Sequence, residues 1–91
     1  MSIPENLEPY YRTPVYNATT VPDKLTQRHL TKAGTWVKIH VEAGNLTFTE
    51  IGKEPIVIPA GSSHVIEPEV AHFVSPEEPV TFYLQFYSAD R

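Results

Sequence analysis

The stretch that most narrows what this chain can fold into is Val80 to Ser88, where apolar and polar residues alternate without a break. Val80, Phe82, Leu84 and Phe86 fall on one side, and Thr81, Tyr83, Gln85 and Tyr87 on the other. A period of two is that of a β-strand, and a strand with one wholly apolar face must cross the middle of a core. Trp36 to Glu42 repeats the pattern: Val37, Ile39 and Val41 share a face, while Trp36, Lys38 and His40 share the other. The first face reads as core and the second as either a partly polar surface or a lumen. Shorter apolar runs, Leu25 to Leu30, Leu46 to Thr49, Ile56 to Ile58, His64 to Glu67 and His72 to Val74, are separated by glycines and by most of the nine prolines. About eight short strands at close turn spacing predict an all-β fold, a barrel or jelly-roll sandwich.

With 91 residues there is room for one domain, spanning 1–91. Residues 1–24 carry four prolines together with Tyr10, Tyr11, Val15 and Tyr16, which reads as an extended N-terminal arm packed over the barrel or along an edge strand. The absence of cysteine excludes disulfides, thiolate catalysis and zinc–thiolate sites. Seven basic against eleven acidic residues give a net charge of −4, and the cations are scattered singly; no nucleic-acid partner is expected. No run approaches the roughly 20 apolar residues of a membrane span. The N-terminus lacks a basic segment with an apolar stretch behind it. No membrane partner and a cytoplasmic location are the expectation. Ser62, Ser63, Ser75 and Ser88 sit in turns or at a strand end, without the strand–nucleophile–helix elbow of a serine hydrolase. Glu77 and Glu78 read as a solvated loop edge.

Gly61 to His72, GSSHVIEPEVAH, reads as a turn, a short strand, a second turn and a histidine. The glycine-to-histidine spacing resembles the second motif of the cupin superfamily, with the proline one place late and Glu69 standing where that motif has its second glycine. Pro59-Ala60-Gly61-Ser62-Ser63-His64 has the letters of the motif without the preceding strand, so His72 is the better match and His64 reads as surface. Trp36 to Leu46 looks like the end of the first cupin motif, without its His-x-His pair and glutamate. A closer likeness runs through Thr13 to Tyr16, Arg28 to Lys38, Gly44 to Phe48, Glu67-Pro68 with His72, and Leu84 to Tyr87. These segments resemble the cupin-like domain of the TehB/YeaR-like family, found alone or in front of the methyltransferase of tellurite-resistance protein B. His29 to Trp36, His-x-x-Lys-x-Gly-Thr-Trp, is the most specific piece. The resemblance implies a small double-stranded β-helix (a jelly-roll barrel), possible metal binding, and a link to tellurite or related toxic-anion stress. No Gly-rich nucleotide or S-adenosylmethionine loop is present, so methyltransferase activity is not expected of these residues.

In such a barrel His29 and His72 lie on separate strands brought together, the two residues most suited to a shared site. A divalent metal needs three or four donors at about 2.0–2.2 Å. His29 and His72 are the candidate metal ligands, with Glu67, ending the strand before the turn to His72, as a carboxylate, and Gln27, two residues from His29, as an amide oxygen. Zinc, iron, nickel and manganese are not distinguished by this set. The alternative is a pair of buried histidines bonded to each other, to Glu67 or to Gln85. Trp36, Lys38 and His40 would line the pocket if their strand face is the lumen, Lys38 supplying charge for an anionic ligand. The candidate ligand-binding residues are therefore His29, Trp36, Lys38, Glu67, His72 and Gln85.

The expected function is a small cupin-like binding domain for a small molecule, an anion or a divalent metal. The alternative is a metal-dependent cupin enzyme of oxygenase or isomerase type using His29 and His72. A homodimer is expected, because open barrels bury an exposed sheet by pairing, and an exposed patch of Tyr10, Tyr16 and Tyr87 would instead favour a partner-binding accessory.

Overall fold

The computed structural model of the chain describes residues 3–89. These form β1 (Glu8–Arg12), a single helical turn α1 (Asp23–Thr26), β2 (Thr35–Ala43), β3 (Asn45–Glu50), β4 (Ile56–Pro59), β5 (Ser63–Ile66), β6 (His72–Pro76) and β7 (Thr81–Ser88). The strands make two antiparallel sheets, ordered β1-β7-β2-β5 and β4-β3-β6. The all-β fold expected from the alternation is the fold observed. No helix among the described residues is long and apolar enough to cross a membrane.

The core forms because the inward rows of both sheets are apolar. Across the longest pairing, Val37 stands opposite Phe86, Ile39 opposite Leu84 and Val41 opposite Phe82. Leu46 and Phe48 of β3, Ile58 of β4, Ile66 of β5 and Val74 of β6 meet them from the other strands in one cluster. Phe82 and Leu46 are fully buried. The alternate residues Trp36, Lys38 and His40 are half-buried on the outer side of the sheet, so the face left open as surface or lumen is a surface.

Two expectations are corrected. Leu25 to Leu30 is not a strand; it begins as α1, with Pro22 before the first turn and Asp23 in it, and then touches a sheet at one residue only, through a bridge between His29 and His72. The reason is edge availability. Both sides of β2, the strand this segment leads into, are taken by β7 and β5, and the segment bridges to β6 instead. Leu25 is buried in the core whereas Leu30 is exposed. The arm also differs in part from its expected role: Tyr16 packs edge-on against Phe82 at 5.9 Å and β1 does cover the edge of β7, but Tyr11 and Val15 are exposed. Thr13, buried, holds the arm by accepting a 3.0 Å bond from the Leu84 amide.

The reversal from β2 to β3 passes through Gly44 at φ +71°, where a Cβ would overlap the carbonyl of Pro79. Gly44→Ala is expected to destabilise the fold by about 3 kcal/mol or more, left-handed strain adding to an overlap with backbone that cannot move aside. Gly52→Ala, at φ +91° with open space around it, should cost about 1 kcal/mol from the backbone alone. Urea denaturation of both variants checks the difference.

Candidate functional site

The bridge between the α1–β2 segment and β6 organises the site. His29 donates its amide to the His72 carbonyl at 3.0 Å, and His72 returns the bond to the His29 carbonyl at 2.8 Å. Glu69, three residues before His72, donates its amide at 2.7 Å to the carbonyl of Thr31, two residues beyond His29. Glu69 takes φ +63°, the backbone conformation for which a glycine is ordinarily used. The turn into His72 therefore keeps the shape of the glycine-bearing motif without its letter.

This short ladder sets the two imidazoles together, ring centroids 4.3 Å apart and planes at 67°. Each ring is fixed the same way, with Nδ1 against the carbonyl two residues earlier: His29 on Gln27 at 2.8 Å and His72 on Val70 at 2.7 Å. A carbonyl only accepts, so each Nδ1 carries the hydrogen and each Nε2 presents a lone pair. His72 is buried. Burial pushes its pKa below the ordinary 6.5, with the neighbouring His29 acting in the same direction; the bond to Val70 and the charge of Glu50 oppose. Phe48 lies against His72 at 5.4 Å and against His64 at 4.8 Å.

Both histidines line a cavity of about 360 Å³. Its walls are largely apolar, with Leu25, Val37, Ile66, Leu84 and Phe86 among them, and Tyr10, Thr31, Thr35, Lys24 and Lys32 complete the polar and charged lining. The wall on one side is the α1 segment, the rest the inner face of the sheet carrying β2 and β7.

Of the residues singled out from sequence, His29 and His72 are brought together. Trp36, Lys38, Glu67 and Gln85 do not line this cavity. Trp36 and Lys38 project from the opposite face of β2, and Gln85 uses its side-chain amide to donate to the Tyr11 carbonyl at 2.8 Å, tying β1 to β7. Gln27 meets His29 through its backbone oxygen, and its side chain is exposed. Among the described residues no group of three or more His, Asp or Glu converges, so the protein donor set reaches two imidazoles. His40 stacks on Tyr83 at 4.7 Å with Arg12 over the same ring at 4.0 Å, outside the cavity; burial, then Lys38 and Arg12, lower its pKa. His64, read as surface, is half-buried on Phe48 beside a crevice of about 130 Å³ that Glu50, Lys53 and Glu54 also line. Tyr10, Tyr16 and Tyr87 do not share a patch: Tyr10 lines the cavity, Tyr16 packs on the core, and Tyr87 pairs with Trp36 on the outer face. Lys24 carries no signal in the sequence. Lys32 and Thr35 are letters of the His-x-x-Lys-x-Gly-Thr-Trp string, and the inward parity of β2, which puts Thr35 beside Val37, is a second pointer to Thr35.

The lowered pKa values of His72, His64 and His40 share one cause, burial. Each group is easier to protonate in the unfolded chain than in the folded one, so its neutral form favours folding above pH 6.5 and that contribution is lost as pH falls below it. The melting temperature should therefore drop between about pH 7.5 and pH 5. His72→Gln should flatten that dependence even if it lowers the melting temperature throughout, and thermal denaturation across this range measures it.

Comparison with known proteins agrees with this architecture. Residues 11–84 match the profile of the TehB-like domain. Over 70 residues the chain is 36% identical to the probable S-adenosyl-L-methionine-dependent methyltransferase TehB of Haemophilus influenzae strain KW20 / Rd, and 33% identical to that of strain 10810. The match takes in 75% of this chain and 23% of each relative, so the chain spans about a quarter of their length. The crystal structure of a protein from E. coli strain K12 superposes with a TM-score of 0.90 at 26% identity, covering 98% of this chain and 97% of that one. The crystal structure of TehB from H. influenzae gives 0.86 at 27% identity, over 92% of this chain and 32% of TehB.

Proposed function

The chain belongs to the TehB-like domain family, and on that premise we propose that it is a small-molecule-binding domain whose site is the cavity closed by the His29–His72 bridge. The supporting observation is the paired imidazoles, each held by its Nδ1 hydrogen bond with Nε2 left as an acceptor, at the wall of an otherwise largely apolar cavity. Concave, mostly apolar sites with a few convergent polar groups are what small ligands bind. His29 and His72 orient the ligand through its polar end, Thr35 adds a hydroxyl, and the apolar walls exclude water from its body. The kinship with TehB connects that ligand to tellurite or related toxic-anion stress. Methyl transfer, the activity in the relatives' name, belongs to proteins of which this chain matches about a quarter, and it forms no part of the proposal.

A second reading rests on the same nitrogen atoms. An imidazole whose Nδ1 is held by a carbonyl is the usual arrangement of a metal-bound histidine, so a divalent metal could be held by His29 and His72. Two protein donors fall short of a resident site, and the remaining donors would have to come from the bound ligand or water. Elemental analysis of protein purified without tag or chelator separates the readings: a metal held at one per chain, and lost in the His29→Ala, His72→Ala double variant, favours the second.

For the first reading, amide chemical shifts recorded during titration with tellurite and a panel of small organic molecules should move at Thr35, Val37, Ile66 and His72. His29→Ala should weaken the best of these ligands by about five- to tenfold, the loss of one hydrogen bond. Shifts confined to the outer face around His40 and Tyr83 would sink the proposal.

A further inference from the structure

The charges lining the cavity run against those of the chain. The protein carries eleven acidic residues and a net charge of −4, yet no Asp or Glu lines the cavity, and its formally charged residues are Lys24 and Lys32. Asp23 and Glu67 neighbour lining residues along the chain, and Glu69 bonds the lining residue Thr31 through its backbone amide, without any of the three joining the lining. Among the described residues the one ion pair joins Lys53 to Glu50 at 2.9 Å, so neither cavity lysine has a carboxylate within bonding distance. Two lysines on α1 and on the approach to β2, both exposed, border a space whose walls are Leu25, Val37, Ile66, Leu84 and Phe86.

We infer that the ligand is an organic monoanion, an apolar body carrying one carboxylate-type group, with the body against the β2 and β7 wall and the charge at the mouth between Lys24 and Lys32. This rests on the cavity being the binding site and adds the chemical class of what it takes. The apolar walls contribute area removed from water. The lysines select by sign: ammonium groups without internal partners attract an anion through solvent-screened Coulomb forces, while the same groups give nothing to a neutral analogue. An inorganic oxyanion satisfies the lysines but leaves the apolar walls wet, so it should bind more weakly than an anion with a hydrocarbon body.

The test uses the full chain with four organic probes, benzoate and hexanoate against benzamide and hexanamide, and sodium tellurite as the inorganic anion. Binding is followed by amide chemical shifts at low salt and at high salt. Each carboxylate should bind at least about fivefold tighter than its amide at low ionic strength, tighter than tellurite, and with a preference that shrinks as salt is added. Replacing both exposed lysines, Lys24→Met with Lys32→Met, keeps the apolar stems and the backbone bond from Thr35 to Lys32. That variant should lose the preference for carboxylate while binding the amides as before. If the amides shift the cavity residues as strongly as the carboxylates, or if the preference survives the double variant, the monoanion inference is overturned and the cavity reading stands. If tellurite binds as tightly as hexanoate, the apolar body is overturned. If none of the five probes moves a cavity residue, both readings fall together.

Discussion

The register between β2 and β7 is the constraint on which the other parts depend. With Val37 opposite Phe86, Ile39 opposite Leu84 and Val41 opposite Phe82, one side of the pair is wholly apolar; with Trp36 opposite Tyr87, Lys38 opposite Gln85 and His40 opposite Tyr83, the other is amphipathic. A slip of one residue would exchange the two sides, bringing Lys38 and His40 into the core and leaving Phe82 and Leu84 in water. Because both flanks of this pair are also used, β1 on β7 and β5 on β2, the register also decides which edges remain for the rest of the chain.

The path of the segment before β2 makes the site. With both edges of β2 occupied, the segment after α1 does not pair with the strand it leads into and bridges to β6 at His29. Leu25 anchors it in the core. The reciprocal bonds between His29 and His72 anchor its other end. The space beneath it is left as a cavity because a crossing segment with a single bridge cannot fill it with side chains at interior density. The His72 imidazole is tolerated in the interior because a carbonyl accepts its Nδ1 hydrogen, and an unbonded buried donor would cost about 1–3 kcal/mol; the half-buried His29 ring is held in the same way.

How much of this could be read from the chain varies residue by residue. His29 and His72 were recoverable because the spacing around them survives, and the Glu69 turn shows why: a backbone at φ +63° can be held by a tertiary bond to Thr31 even when the residue is not glycine. Trp36, Lys38 and Gln85 were placed near the pocket because alternation gives two faces but does not say which one encloses space. Leu25 to Leu30 read as a strand because a short apolar run cannot be assigned by periodicity alone. Lys24 has no local mark, and Lys32 stands in the His-x-x-Lys-x-Gly-Thr-Trp string without a role that the string alone assigns; their association exists only through the path of the α1 segment. His64 looked like surface from its turn context, and became half-buried because Phe48 offers its ring to both His64 and His72.

By itself the sequence determined the all-β class, the inward rows of β2 and β7, and the two histidines, since a period of two and the spacing between motif residues are local properties of the chain. The tertiary structure alone decided that the segment before β2 crosses as a helical turn and a bridge, that β2 turns Thr35 and Val37 rather than Trp36 and Lys38 towards the cavity, and that two lysines line it with no carboxylate of the described residues in the lining. Those outcomes depend on which strand edges are already occupied, and occupancy is a property of the assembled sheets that no window of sequence contains.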